Sequence, residues 1–156
     1  MVRGHTRRHF LEGAAAAAAA LPSVGLAQGP RRPNVLFILA DDLGYADLSI
    51  YGRRDYRTPV LNQLAGEGLL MTQAYSSSCV CTPTRVALIT GRYRERLPVG
   101  LPEPISIEKD VGLPNGFPTL PRLLKRAGYM TSLVGKWHIG WPPEHGPLRA
   151  GYDRFF

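Results

Sequence analysis

The chain has 156 residues, 44% of them hydrophobic and 20% charged, which suits one modest domain. Its formal net charge is +7 at pH 7, but the arginines are scattered and no stacking aromatics lie between them, so the sequence predicts no nucleic-acid partner. Cys79 and Cys81 are two positions apart, a spacing that rarely meets disulfide geometry. A zinc site would need a second Cys/His pair at ligand spacing, and the sequence offers none.

Residues 1–27 are predicted to be a cleaved export leader. Arg7 and Arg8 resemble a twin-arginine signal, and a run of seven alanines follows before small residues that favour cleavage after Ala27. A transmembrane anchor or a cytosolic helix is the alternative, but a span needs about 20 strongly apolar residues and this run is shorter and broken by a proline. We therefore expect the twin-arginine machinery as a partner, no stable membrane anchor, and a periplasmic or secreted protein.

Two adjacent carboxylates follow the first apolar run after the leader. Residues 28–33 are predicted to be a linker, and residues 34–40 a buried strand because they are continuously apolar. The strand ends at Asp41 and Asp42, whose mutual repulsion a hard divalent cation with oxygen ligands would remove. The alternative is a solvated turn in which one aspartate caps the next segment.

The remaining elements are predicted by apolar spacing and by proline and glycine punctuation. In chain order they are a helix from Thr58-Pro59 to Gly66 or Gly68, a strand over 69–75, a helix over 83–89 closed by Gly91, a surface loop over 98–118, a helix from Thr119 to Gly128 and a strand over 130–134. This order indicates an α/β fold with a mainly parallel sheet flanked by helices. Ligands bind at the carboxyl ends of such strands, so the polar residues that follow them should lie at one edge.

Residues 79–93 read CVCTPTRVALITGRY and contain a candidate nucleophile. Pro83 fixes the start of a helix, which puts Cys81 near an N-terminus whose free N–H groups favour an anion. Arg85 follows one turn later on the same face, and its permanent charge can hold an oxyanion. The alternative for Cys81 is a packed thiol, and Cys79 is assigned to packing.

This stretch resembles the signature of the type I sulfatases of the alkaline-phosphatase-like superfamily, in which the cysteine is oxidised to formylglycine. Residues 89–92 resemble the auxiliary element read by the formylglycine-generating enzyme, residues 135–140 (GKWHIG) the second family signature, and residues 151–156 the structural segment that follows it. The resemblance implies that Lys136 contacts the sulfate ester and that His138 helps to hold the hydrated aldehyde or the leaving group. A surface lysine and a packed histidine are the alternatives.

The resemblance also implies a divalent metal, usually calcium with magnesium possible, held by Asp41, Asp42 and the modified Cys81. The expected reaction is hydrolysis of a sulfate ester, either a small molecule or a glycan. The resemblance covers residues 34–156, interpreted as the N-terminal part of a sulfatase catalytic domain. The isolated chain is expected to be inactive, since its two carboxylates cannot fill a shell of about six to eight oxygens. Alternatives are a phosphonate or phosphate monoester hydrolase of the same superfamily and a non-catalytic remnant.

Overall fold

A computed structural model describes residues 32–101, 104–106 and 110–156. The predicted leader over 1–27 and most of the linker over 28–33 lie outside these residues. The chain divides into two units, 1–39 and 40–156, and every helix and strand of the described residues belongs to the second. None of the described helices combines the length and the apolar character that a membrane crossing requires.

The regular elements of the second unit are short. The helices are α1 (Pro59–Glu67), α2 (Cys81–Thr90) and α3 (Leu120–Arg126), the strands are β1 (Ser132–Leu133) and β2 (Arg154–Phe155), and 3-10 turns cover Tyr45–Asp47, Ser49–Tyr51, Arg94–Arg96 and Pro98–Gly100. The two strands pair in parallel, with Ser132 opposite Arg154 and Leu133 opposite Phe155. The observed fold is thus a small parallel pair accompanied by helices.

The three predicted helices are confirmed, because their boundaries depend on local chemistry. Thr58 occupies the N-cap position of α1, which opens with a proline, and Thr119 caps α3 by accepting a hydrogen bond from the Arg122 N–H at 3.5 Å. The glycine predicted to close α2 is Gly91, whose φ of 63° is the left-handed conformation of a helix C-cap. At the other end, α2 begins two residues earlier than predicted, at Cys81.

Two of the predicted strands are wrong. Residues 34–40 form no strand, and the side chains of Leu36 and Ile38 are 85% and 75% exposed. Residues 69–75 also form no strand and are exposed throughout. An apolar run becomes a buried strand only when a partner supplies ladder hydrogen bonds and neighbouring layers cover its faces, and the described residues give these runs neither. Of the strand predicted over 130–134, Ser132–Leu133 is confirmed.

The predicted surface loop over 98–118 is partly core, which corrects the sequence interpretation. Val99, Ile105 and Leu113 are 2%, 2% and 5% exposed and belong to the same buried cluster as Val86 of α2. Prolines and glycines interrupt regular hydrogen bonding, but they do not keep the apolar side chains between them out of a core. This loop therefore packs under the helix that carries the candidate nucleophile.

His145 joins the segment after β1 to the loop around Gly112. A Cβ added to Gly112 would lie 2.2 Å from the His145 Cγ, and one added to Gly140, whose φ is 101°, would lie 2.4 Å from the His145 Cβ. Only glycine allows both approaches. The backbone carbonyl of His145 accepts a hydrogen bond from Trp137 Nε1 at 2.7 Å. This packing fixes the backbone around Lys136 and His138.

Asp153 connects α3 with both strands. Its Oδ2 accepts hydrogen bonds from the Thr131 N–H at 2.9 Å and from Thr131 Oγ1 at 3.1 Å, and its Oδ1 pairs with Lys125 of α3. The hydrogen bond from Lys125, followed by that from the Thr131 backbone, lowers the pKa of Asp153 to about 2. Through Asp153, the segment over 151–156 has a structural role, as the sequence predicts.

Candidate active site

Asp41 lies at the centre of a charged cluster formed by residues far apart in sequence. Its Oδ2 accepts a hydrogen bond from Lys136 Nζ at 2.8 Å, across 95 positions of the chain. Its Oδ1 lies 3.3 Å from Arg85 Nη2. The Lys136 ammonium also lies 3.2 Å from Cys81 Sγ. The structure therefore brings a carboxylate, two cations and the candidate nucleophile into direct contact.

Lys136 and Asp41 support each other's charged forms. The hydrogen bond from Lys136 is the main cause that lowers the pKa of Asp41, and the same bond, followed by that to Cys81, raises the pKa of Lys136. Both groups therefore stay charged at neutral pH. Their side chains are 44% and 39% exposed, and an ion pair this accessible to water adds little to folding stability. Its main effect is to place a cation beside Cys81.

Helix α2 positions Cys81 and Arg85 on one face. Cys81 is the first helical residue, after Val80 in an extended conformation. The start of the helix is held by Ser78, whose carbonyl accepts a hydrogen bond from Thr84 Oγ1 at 2.7 Å. One turn into the helix, Arg85 Nη1 donates to the Lys136 carbonyl at 2.5 Å. Arg85 thus contacts both the backbone of Lys136 and the side chain of Asp41.

His138 lies outside this set of contacts. Its Nε2 is 3.2 Å from the carbonyl oxygen of Ile105, and its own carbonyl accepts a hydrogen bond from Thr82 Oγ1 at 2.9 Å. Its backbone has a φ of 55°, which is uncommon for a residue other than glycine. Of the six predicted site residues, the structure brings Asp41, Cys81, Arg85 and Lys136 into contact and places Asp42 beside Asp41 and Cys81. It places the His138 ring against Ile105.

The family profile described as Sulfatase matches residues 33–156. This chain belongs to the sulfatase family. It is 44% identical over 136 residues to a steryl-sulfatase of Mus musculus, covering 81% of this chain and 22% of that protein. It is 39% identical over 143 residues to an N-acetylgalactosamine-6-sulfatase of Homo sapiens, covering 85% of this chain and 27% of that protein. This sulfatase chain thus spans about a quarter of the length of these relatives.

Solved structures agree with the family and extend it to the fold. The crystal structure of the PsFucS1 sulfatase from Pseudoalteromonas sp. superposes with a TM-score of 0.69 at 39% identity, covering 80% of this chain and 25% of that one. The structure of Ps i-CgsB in complex with k-i-k-neocarrahexaose superposes with a TM-score of 0.64 at 36% identity, over 74% and 25% of the two chains. The described part of this sulfatase chain therefore has the backbone arrangement of the corresponding quarter of solved sulfatases.

The donor set of this sulfatase chain fits a hard divalent cation. Asp41, Asp42 and Cys81 each place one potential ligand atom within 4.8 Å of the others. Two carboxylates suit calcium or magnesium, whereas a thiol is a soft ligand that these ions do not favour. Oxidation of Cys81 to formylglycine would replace the sulfur by oxygen and make the set uniformly hard. Asp42, with a φ of 60°, turns the chain directly after Asp41.

Sequence reasoning missed the polar groups that support these residues. Thr82 is fully buried and its hydroxyl contacts both His138 and Ile105, while Ser78 holds the start of α2. The only sequence signal for Thr82 is its place inside the motif, between the candidate nucleophile and Pro83. Ile105, in contrast, lies in a proline-rich stretch and carries no pattern that predicts its partner.

Proposed function

We propose that this chain carries the nucleophile and sulfate-binding residues of a sulfuric ester hydrolase. The observation that supports this most directly is the contact of Lys136 Nζ with both Cys81 Sγ at 3.2 Å and Asp41 Oδ2 at 2.8 Å. Lys136 therefore contacts both the thiol proposed as the nucleophile and the carboxylate proposed as a metal ligand. In a member of the sulfatase family, this combination suits transfer of a sulfuryl group.

Cys81 is the proposed nucleophile after its oxidation by a formylglycine-generating enzyme. The hydrated aldehyde would supply one hydroxyl whose oxygen attacks sulfur and displaces the alcohol, and a second whose deprotonation re-forms the aldehyde and expels inorganic sulfate. Its place at the first residue of α2 exposes it to the free N–H groups of the helix start, which favour a developing anion. Lys136 lies within hydrogen-bond distance of the same side chain and can offset charge on the transferring group.

Asp41, Asp42 and the modified side chain of residue 81 are proposed to hold calcium, with magnesium as the alternative. When bound, the ion would polarise a sulfate oxygen. Arg85 and Lys136 already neutralise the Asp41 carboxylate. We propose that these two cations also offset the negative charge of the substrate's sulfate oxygens.

The substrate is proposed to be a sulfate ester of an alcohol. The names of the relatives include a steryl-sulfatase and an N-acetylgalactosamine-6-sulfatase, and one solved neighbour binds a neocarrahexaose. The two enzyme names share a sulfate ester as substrate but differ in the group that carries it, a sterol in one and a sugar in the other. Arg85 and Lys136 of the candidate site are positively charged, so they suit the anionic sulfate group of the substrate rather than its alcohol.

The test compares substitutions at the two cysteines in the complete gene product, with an aryl sulfate and the matching aryl phosphate as substrates. Cys81→Ala is expected to abolish sulfate release, and Cys79→Ala, two positions away, to retain it. Cys81→Ser should stall, since a serine can accept the sulfuryl group but has no second hydroxyl to expel it. Mass spectrometry of the Cys81 peptide should show the aldehyde in the wild type and a trapped sulfuryl group in the serine variant.

The result also separates the alternative functions. Turnover by the Cys81→Ala variant would contradict the formylglycine reaction, and preference for the aryl phosphate would identify a phosphate monoester hydrolase. An unmodified Cys81 without turnover would indicate a non-catalytic protein.

A further inference from the structure

The hydroxyl of Thr82 connects three segments that are distant in sequence. The residue is fully buried, directly after Cys81 in α2. Its Oγ1 donates a hydrogen bond to the carbonyl of His138 at 2.9 Å and accepts one from the N–H of Ile105 at 3.3 Å. A hydroxyl has one proton to donate, so its donor is used on His138 and a lone pair on Ile105. No other hydroxyl among the described residues bridges these two segments.

A third contact closes the arrangement and selects a tautomer of the His138 ring. Nε2 of His138 lies 3.2 Å from the carbonyl oxygen of Ile105. A carbonyl oxygen only accepts hydrogen bonds, so Nε2 must carry a proton for this contact to be favourable. In the neutral ring the proton is then on Nε2, and Nδ1 has a free lone pair. Nδ1 is buried and has no hydrogen-bond partner among the described residues.

The backbone around His138 needs such support. Its φ of 55° is in the left-handed region, which residues with a side chain adopt only when their surroundings compensate the strain. The next residue, Ile139, is 1% exposed and anchors the segment in the core. The Thr82 hydroxyl holds the His138 carbonyl on one side, and Ile105 holds the ring on the other.

We propose that Thr82 is a positioning residue that fixes His138 through the backbone of Ile105, so that the proton of the neutral ring is held on Nε2. The proposal rests on the proposed function only for its activity readout. Thr82 itself touches no reacting atom. It keeps the Ile105 carbonyl opposite Nε2, and thereby sets both the orientation and the tautomer of the ring.

The test uses the complete gene product with its histidine rings labelled with ¹⁵N. Nuclear magnetic resonance of the wild type should show the His138 proton on Nε2 at neutral pH. Thr82→Val keeps the shape of the side chain but removes the hydroxyl, and should shift the His138 ring signals. Thr82→Ser keeps the hydroxyl and should preserve them. Thr90→Val is the matched control, because it removes a hydroxyl of the same helix whose one partner among the described residues is the Val86 carbonyl.

Activity is the second readout. Thr82→Val should lower kcat for an aryl sulfate by about tenfold to a hundredfold, with rescue by Thr82→Ser and no change in Thr90→Val. Unchanged His138 signals in Thr82→Val would overturn the proposal, as would a wild-type ring with its proton on Nδ1, a result that does not depend on any variant folding. If the wild type hydrolyses no sulfate ester, the proposed function fails, and the ring signals still decide the role of Thr82.

Discussion

Arg85 shows how one side chain can connect two distant parts of the candidate site. Its Nη1 donates to the Lys136 carbonyl at 2.5 Å, and its Nη2 lies 3.3 Å from Asp41 Oδ1. The guanidinium is planar, so a single orientation serves both acceptors. The side chain is 12% exposed, which limits competition from water. Arg85 therefore sets the distance between the segment that carries Lys136 and the segment that carries Asp41.

Replacing Arg85 by lysine should impair catalysis even though the charge is kept. A lysine has one nitrogen on a flexible stem, so it cannot hold both acceptors in place. We expect kcat/KM for an aryl sulfate to fall by about a hundredfold or more, as for other preorganised donors. Arg126→Lys, at the exposed end of α3, is the control and should leave kcat/KM unchanged. Wild-type activity in Arg85→Lys would show that the paired contacts are dispensable.

At the scale of elements, Asp153 links the two short strands to each other and to α3. A parallel pair of two residues per strand has few ladder hydrogen bonds, so side chains must contribute to holding it. The Asp153 carboxylate binds Thr131 just before β1 and Lys125 in α3. One ionised group therefore fixes a helix, the start of one strand and the start of the other.

The stability of this junction should depend on pH in a defined direction. The pKa of Asp153 is lowered from 3.8 to about 2, so its contribution is fully present above pH 4 and is lost as the pH falls through about 2. Asp153→Asn should therefore lower the free energy of unfolding at pH 7, and its difference from the wild type should shrink between pH 4 and 2. Urea unfolding at several pH values measures this. The control Glu67→Gln replaces an exposed residue of α1. Its difference from the wild type in the free energy of unfolding should not shrink over the same pH range.

At the scale of the whole molecule, the candidate site is contained in the second unit. Its residues run from Asp41 to His138, and the described residues of the first unit are exposed and carry none of them. The predicted export leader precedes this unit. Its route matters to the chemistry, because the twin-arginine machinery carries folded proteins and would allow Cys81 to be modified before export.

Changing Arg7 and Arg8 together to lysine should retain the protein in the cytoplasm. The substitution keeps the charge of the leader but removes the arginine pair that serves as the address. Cell fractionation followed by immunoblotting measures the distribution. Arg31 and Arg32, a second pair beyond the predicted cleavage site, provide the matched lysine control and should not change export. Undiminished periplasmic protein in the Arg7 and Arg8 variant would point to the general secretory route.

The sequence by itself determined the features that arise within one turn of chain. Caps such as Thr119, the proline-started helix that carries Cys81, and the closing Gly91 all act on neighbours three or four residues away, so their patterns are readable without tertiary contacts. The motif around Cys81 likewise identified the family that the comparisons show. These predictions needed only local hydrogen bonding and backbone sterics.

The tertiary structure alone decided which apolar runs became strands and which polar groups support the site. Residues 34–40 have the composition of a buried strand but no partner among the described residues, because pairing depends on another segment rather than on the run itself. The Thr82 hydroxyl meets its acceptor across 56 positions, and Asp153 meets Thr131 across 22. Such contacts follow from how segments pack together, and no spacing within either segment encodes them.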